Sequence, residues 1–309
     1  MQIINRYPFE LKQQPRVVAL GYFDGLHIGH RALLCEMRNR ARKDGLKPAV
    51  FTFDQHPSSI FRSDYRGLIL QPKERLRRLE EAGVEDLVLA PLIPNVYNLS
   101  PETFFAEVLC EQLCAQVLIC GTDFTFGQGA KGDITLLRQL CTDKQLELVV
   151  VPDVELLGQK VSSTQIRELL QAGEMELVNQ ALGADYCLWG TVIHGQQLGR
   201  KLGFPTVNLK LDTDLLRPKF GVYASVVYWQ NQVMPAVSSL GIRPTVSDAK
   251  QVLLESHIYH QQLNLYGEEI CVRLLKFIRP ELTFATVAEL KEQVDTDKLE
   301  VLAYHQRKR

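Results

Sequence analysis

The stretch Val17–His30, reading Val-Val-Ala-Leu-Gly-Tyr-Phe-Asp-Gly-Leu-His-Ile-Gly-His, constrains this chain more than any other. Four apolar residues predict a buried strand, and a loop punctuated by glycines follows. Apolar spacing then predicts a helix through Arg31-Ala32-Leu33-Leu34 to about Lys43. Gly25 and Gly29 permit sharp turns and let a ligand approach the main chain. The free amides of the new helix favour an anion, and His27 and His30 at the same edge can donate to phosphate oxygens. A structural strand-loop-helix with two solvated histidines, or a fragment of a metal site, would also show His-x-x-His. The order strand, glycine, His-x-Gly-His, helix is the more specific pattern, and it favours a phosphate-binding loop over a bare strand-loop-helix.

With 309 residues, two domains are expected. In the first half, strands at Pro48–Phe53, Asp86–Ala90, Gln116–Cys120 and Glu147–Val151 alternate with helices at Pro72–Ala82, from Ser100 to about Ala115, and from about Asp133. That alternation predicts an α/β, doubly wound parallel sheet with the opening loop at the carboxyl end of its first strand, where such sheets bind ligands. From Cys187 the pattern becomes short strands: Leu188–His194, Gly221–Tyr228, Gln232–Ser238, Leu253–Tyr259 and Glu269–Ile278. They predict a small β-barrel, followed by a helix beginning near Phe284. The expected boundary separates 1–182 from 183–309.

Three further motifs carry chemistry. Cys120-Gly121-Thr122-Asp123-Phe124-Thr125-Phe126-Gly127 follows a strand directly, so it lies at the ligand edge, although its aromatics could equally be core. Val161-Ser162-Ser163-Thr164-Gln165-Ile166-Arg167 puts hydroxyls at a helix start and an arginine one turn on. Such hydroxyls serve as helix caps or, with the arginine, as a phosphate grip. In the second half, Gly195 and Gly199-Arg200-Lys201-Leu202-Gly203-Phe204-Pro205-Thr206-Val207-Asn208 make a phosphate loop possible. Thr206 and Asn208 point to one side of an extended segment, as hard oxygen donors suited to Mg²⁺ with nucleotide phosphates. Glu255, among apolar neighbours in a strand, is either an outward surface residue or a general base.

These motifs, with His56-Pro57, Gly241–Thr245, Leu254–His257, Leu265-Tyr266-Gly267 and Phe277–Pro280, resemble the bifunctional prokaryotic FAD synthetases in order and spacing from about Val17 onward. The resemblance implies an adenylyltransferase domain followed by a six-stranded riboflavin kinase barrel with a C-terminal helix. It implies that the first domain joins FMN to the α-phosphate of ATP. There His27 and His30 would stabilise charge on the transferring phosphate, and Gly21, Phe23, Gly25 and Gly29 would line the ATP site. Ser162, Ser163, Thr164 and Arg167 would hold the departing pyrophosphate, and His56, Asp123, Phe124 and Phe126 would line the flavin and nucleotide site. In the barrel, Gly195, Gly199, Arg200 and Gly203 would cradle ATP, Thr206 and Asn208 would hold Mg²⁺, Arg243 would contact the flavin, and Glu255 would take the proton of the riboflavin 5′-hydroxyl. The ligands implied are riboflavin, FMN, FAD, ATP and Mg²⁺.

The chain departs from the pattern at Tyr22, Gln55, Thr125, Ala130, Ser239, Ile242 and Asn264. Thr125 and Ala130 stand where arginine is common, so the adenylylation site carries less positive charge unless Lys131 compensates. The alternatives are a nucleotidylyltransferase with a different acceptor, which leaves the barrel motifs unexplained, and a kinase whose first half has weakened into a flavin-binding or regulatory module. A net charge of −1 argues against nucleic acid and anionic membranes as partners. No signal-peptide core or spanning apolar run is evident, and the seven cysteines form no paired framework, so a cytoplasmic protein is expected, as a monomer or weak homo-oligomer.

Overall fold

Val17, Val18, Ala19 and Leu20 are all but completely buried, as a strand covered on both faces requires. In the computed structural model, which describes residues 1–61, 63–195, 199, 203–212, 214–244, 250–259 and 264–307, they form the middle of a parallel sheet. Its strands are β1 (Gln2–Ile4), β2 (Arg16–Leu20), β3 (Lys47–Phe53), β4 (Asp86–Ala90), β5 (Ala115–Gly121) and β6 (Glu147–Val151), in the order β1-β4-β3-β2-β5-β6. Chain order therefore reverses direction between β2 and β5. The crevice outside the carboxyl ends of those two strands is where sheets of this type hold ligands, and the loops at Gly21–His27 and from Thr122 leave from those ends.

Helix α1 (Ile28–Asp44) buries Leu33, Leu34, Met37 and Ala41. It ends at Gly45 in the left-handed region, with Arg42 and Lys43 in its last turn complementing the helix dipole. Helices α2 (Pro72–Glu81) and α3 (Ile134–Asp143) follow, the latter capped by Asp133 through a 2.9 Å bond from the Leu136 amide. The helix expected from Ser100 starts at Pro101, capped by Ser100, but winds as a π-helix over Phe104–Gln112. At the amino ends of β2, β3 and β4, buried Asp86 receives Arg16 Nε at 2.9 Å and Lys47 Nζ at 2.6 Å, an ion cluster tying three strands together. A hairpin of β7 (Glu155–Leu156) and β8 (Gln159–Lys160), invisible in the sequence pattern, turns at Leu157 and Gly158, both at positive φ.

The chain divides into two compact units, 1–67 with 72–162, and 68–71 with 163–309. The second unit is built on a closed antiparallel barrel of β9 (Tyr186–Ile193), β10 (Val207–Lys210), β11 (Gly221–Trp229), β12 (Gln232–Pro244), β13 (Lys250–Ile258) and β14 (Glu269–Arg279), ordered β10-β13-β12-β11-β14-β9. Ser225, Ser238 and Ser256 form a fully buried chain of hydroxyl contacts at 2.7 Å across three strands, so these polar groups satisfy one another. Helices α4 (Ser163–Ala172) and α5 (Met175–Leu182) belong to this unit. Asn179 of α5 donates to Leu274 O at 2.9 Å and accepts from the Tyr186 amide at 2.7 Å, pinning α5 to β9 and β14. Gln71 bonds both main-chain groups of Trp189 in β9. The last helix, α6 (Val287–Arg307), starts three residues later than Phe284 because the Thr286 hydroxyl caps the Glu289 amide. Asp297 of α6, 4% exposed, clamps the Arg279 guanidinium with two bonds of 2.8 and 2.6 Å.

Candidate active sites

Phe23, Gly25 and Leu26 all take positive φ (59°, 82° and 47°), so the loop after β2 holds two non-glycine residues in a strained conformation. That turn delivers His27 to the N-cap of α1, where its Nδ1 accepts the His30 amide at 3.3 Å. With Nδ1 an acceptor, the neutral ring carries its proton on Nε2. The His27 and His30 rings stack at 3.7 Å, with Phe23 5.2 Å from His30. A Cβ at Gly29 would come 3.1 Å from the His27 ring, so any side chain there presses on that ring. Burial lowers His27 to about 4, with Asp123 opposing and Lys160 reinforcing the shift. Burial and the neighbouring His27 push His30 well below its ordinary value too. Both rings are neutral hydrogen-bond donors at pH 7.

Around this pair the first unit gathers several expected residues. The Val161 carbonyl lies 3.8 Å from a Cβ built on Gly29, which brings the start of the Ser162 motif beside the histidine loop. Asp123 acts electrostatically on His27. Phe124 and Phe126 stack at 5.8 Å, but Phe126 is buried against Phe104 and belongs to the sheet's core. His56 sits against Tyr22 at 4.3 Å and Tyr65 at 5.1 Å, and Arg75 covers the Tyr22 ring at 4.8 Å. Thr125, Ala130 and Lys131 are all exposed. Ser163, Thr164 and Arg167 stand on α4 in the second unit, with Arg167 9% exposed.

Lys160 was not expected. Its ammonium lies 3.0 Å from both Asp123 and Asp153, and Asp153 also accepts from Thr122 at 2.7 Å. A cation next to His27 is thus supplied by the β7–β8 hairpin. Its only sequence signal is its place two residues before Ser162.

In the barrel, register decides the arrangement. Asn208 of β10 pairs with Glu255 of β13, and Glu255 pairs on its other side with Ser239 of β12. These three share one face of the sheet, opposite to that of inward Leu209, Leu254 and Leu240. Asn208 is 6% exposed, and among the described residues its Oδ1 has no hydrogen-bond partner. A buried oxygen of this kind, two residues along the chain from Thr206, suits a hard cation such as Mg²⁺. Gly195 packs so closely that a Cβ would sit 2.6 Å from Asn208 Nδ2. The Phe204 amide donates to Gly199 O at 2.8 Å, and Gly203 stands at φ 88°. His257, on the Glu255 face, meets the Pro205 carbonyl at 2.9 Å and so fixes the approach of Thr206. Arg200 and the Arg243 side chain lie outside the described residues. Among the described residues no group of three or more His, Cys, Asp or Glu could hold a metal.

A parallel sheet with neutral histidines at a helix N-terminus, joined to a barrel with an oxygen-donor turn and a nearby carboxylate, defines a two-module nucleotide-using enzyme. The family model described as FAD synthetase matches residues 10–165, and the one described as riboflavin kinase matches 182–305. A protein of Listeria monocytogenes named bifunctional riboflavin kinase/FMN adenylyltransferase is 34% identical over 94% of this chain and 92% of its own length. The Escherichia coli K12 protein of the same name is 35% identical over 94% and 93%. The chain belongs to the bifunctional riboflavin kinase/FMN adenylyltransferase family. A Streptococcus pneumoniae crystal structure described as a macrolide-efflux protein superposes with a TM-score of 0.88, at 32% identity over 96% of this chain and 98% of that one. Efflux is said of that protein; here no helix among the described residues is long and apolar enough to cross a membrane.

Proposed function

We propose that this enzyme phosphorylates riboflavin to FMN in its barrel and adenylylates FMN to FAD in its parallel-sheet module. What carries the reading is that the two family matches, one per module, together span most of the chain, 10–165 and 182–305. The catalytic division falls at about 182/183, later in the chain than the division between compact units. In adenylylation an FMN phosphate oxygen attacks the α-phosphate of ATP, and the bond to the β-phosphate breaks to release pyrophosphate. His27 and His30 donate to the oxygens on which charge grows, through protons held ready by their neutral state. Gly21, Phe23, Gly25 and Gly29 shape the ATP loop, while Ser162, Ser163, Thr164 and Arg167 hold the leaving group. His56, Asp123 and Phe124 contact the flavin nucleotide, with Phe126 supporting them from the core.

In the kinase reaction Glu255 takes the proton of the riboflavin 5′-hydroxyl as that oxygen attacks the γ-phosphate, and ADP leaves. Thr206 and Asn208 hold the metal of Mg²⁺-ATP, with Gly195, Gly199, Arg200 and Gly203 around the phosphates and Arg243 at the flavin. Bound Mg²⁺ neutralises phosphate charge. The protein acts in the cytoplasm as a monomer or weak homo-oligomer, without nucleic-acid or membrane partners. Incubation with riboflavin, ATP and Mg²⁺, followed by chromatographic separation, should show FMN appearing first and FAD next. FMN alone as the final product would favour the kinase with a weakened first half.

Lys160 supplies the positive charge that Thr125 and Ala130 lack, with Asp123 and Asp153 holding it until polyphosphate binds. Lys160→Ala should raise the ATP KM of adenylylation about tenfold, the worth of one hydrogen bond to a charged group, and leave riboflavin phosphorylation unchanged. An unaltered KM would return the charge to Lys131.

A further inference from the structure

We propose that the groove between α1 and α2 is an anion site, separate from both catalytic sites, that takes an inorganic or nucleoside polyphosphate. The groove encloses about 300 Å³ and is lined by Leu26, Arg31, Leu34, Cys35, Arg38, Arg78, Glu81 and Ala82. None of these residues has a part in the chemistry above. Arg31, Leu34, Cys35 and Arg38 recur at helical spacing, so one face of α1 turns its two guanidinium groups towards Arg78 of α2. The lining carries three guanidinium groups against a single carboxylate, and that carboxylate, Glu81, is already bonded to Arg77.

The arginines differ from an ordinary solvated helix face in two ways. Arg38 Nε is sealed from water yet has no hydrogen-bond partner among the described residues, although a buried donor normally finds one. Arg31, although exposed, has its charged form disfavoured by partial desolvation and by the adjacent Arg78, with Glu81 opposing the shift. Arg78, 6% exposed, is held by Glu74 at 2.5 Å, and Arg77 shares that carboxylate. Like charges converging in a half-enclosed cavity are unfavourable until an anion enters. Guanidinium groups in a fork geometry then match phosphate oxygens. A cavity of this size is at the small end of ligand pockets, with room for a diphosphate and little more than its immediate attachment. Leu26, the loop residue beside His27, also lines the groove, so an occupant would touch the loop that sets the histidines.

Cys35 lines the groove with an exposed thiol and reports its occupancy. The intact chain is alkylated with uncharged iodoacetamide, without Mg²⁺, at constant ionic strength and with rising inorganic phosphate, pyrophosphate or ADP. Modification of each cysteine is followed by mass spectrometry. At an anion concentration about twice its Kd, mass action leaves a third of the sites open, so Cys35 should react about threefold more slowly. Cys110 and Cys114 should be unaffected. The Arg31→Gln/Arg38→Gln double variant retains good helix formers and should lose the protection, while Arg38→Lys should retain part of it. Equal protection by pyrophosphate and ADP assigns the site to the polyphosphate itself, and stronger protection by ADP assigns it to a nucleotide. Cys35 reactivity indifferent to all three anions would overturn the proposal. So would protection that persists in the double variant, because the anion would then be acting from elsewhere.

Discussion

His27→Ala and His30→Ala should each cut FAD formation from FMN by on the order of 10²–10³ in rate, the usual cost of losing one donor to a transition-state oxyanion. Riboflavin phosphorylation should continue at the wild-type rate, because both histidines belong to the first unit and the kinase groups to the second. Alanine at 27 also removes a helix cap, since His27 Nδ1 accepts the His30 amide, at a cost of about 1 kcal/mol. His27→Asn separates the two effects. Asparagine is a good cap but lacks the ring that stacks on His30 at 3.7 Å and projects Nε2 beyond it. The Asn variant should melt close to the wild type at pH 7 and still fail to make FAD. The pH dependence of unfolding gives a second readout. His27 is lowered from 6.5 to about 4 in the fold, so its neutral form contributes fully above about pH 6.5, and that contribution is lost as pH falls towards 4. Replacing His27 should flatten that part of the stability profile. A His27→Asn enzyme making FAD at the normal rate would remove the residue from catalysis and leave it as a cap.

The Val17–His30 unit was legible because its signals are local: a buried apolar run, turn glycines and a helical apolar face within one short stretch. The barrel was legible as a class for the same reason, since β11 and β14 are long enough to show their pattern. Its closing strand β10 has only four residues. Val207 and Leu209 alternate with Asn208 and Lys210 there, too short a run for periodicity to mark a strand. The β7–β8 hairpin has two residues per strand and no apolar alternation, so Lys160 escaped notice with it. Leu68–Gln71 attaches to the barrel unit through main-chain bonds of Leu68 with Asp214 and Leu216 and through Gln71 bonding Trp189, 118 residues away, and no local pattern reports such bonds. Phe126 shows the converse limit. The sequence placed two aromatics at the ligand edge with core and site readings equally open, and packing against Phe104 puts Phe126 in the core.

Glu255→Gln should fold normally and lose riboflavin phosphorylation by on the order of 10²–10⁴, the range for removing a general base. Register makes the case. Glu255 stands between Asn208 and Ser239 across adjacent strands, on the face turned away from the packed barrel interior. The carboxylate thus neighbours the buried Asn208 oxygen assigned to the metal of Mg²⁺-ATP, where a 5′-hydroxyl attacking the γ-phosphate would need its acceptor. Glutamine has nearly the same shape and keeps the hydrogen-bonding capacity of one oxygen, so packing is preserved. Its amide cannot take a proton at neutral pH. The measurement belongs in the intact chain, because a fragment beginning at Ala184 would lack both Asn179, which bonds β9 and β14, and Gln71, which bonds β9. The intact variant carries its own controls: FAD formation from supplied FMN should proceed at the wild-type rate, which certifies the first module and the nucleotide supply, and an unchanged melting curve certifies the barrel. Asn208→Ala should behave differently, raising the Mg²⁺-ATP requirement before it lowers turnover, because it removes a ligand and leaves the base in place. Wild-type phosphorylation by Glu255→Gln, with FAD formation intact, would exclude Glu255 as the base and leave the proton to another group near the attacking hydroxyl.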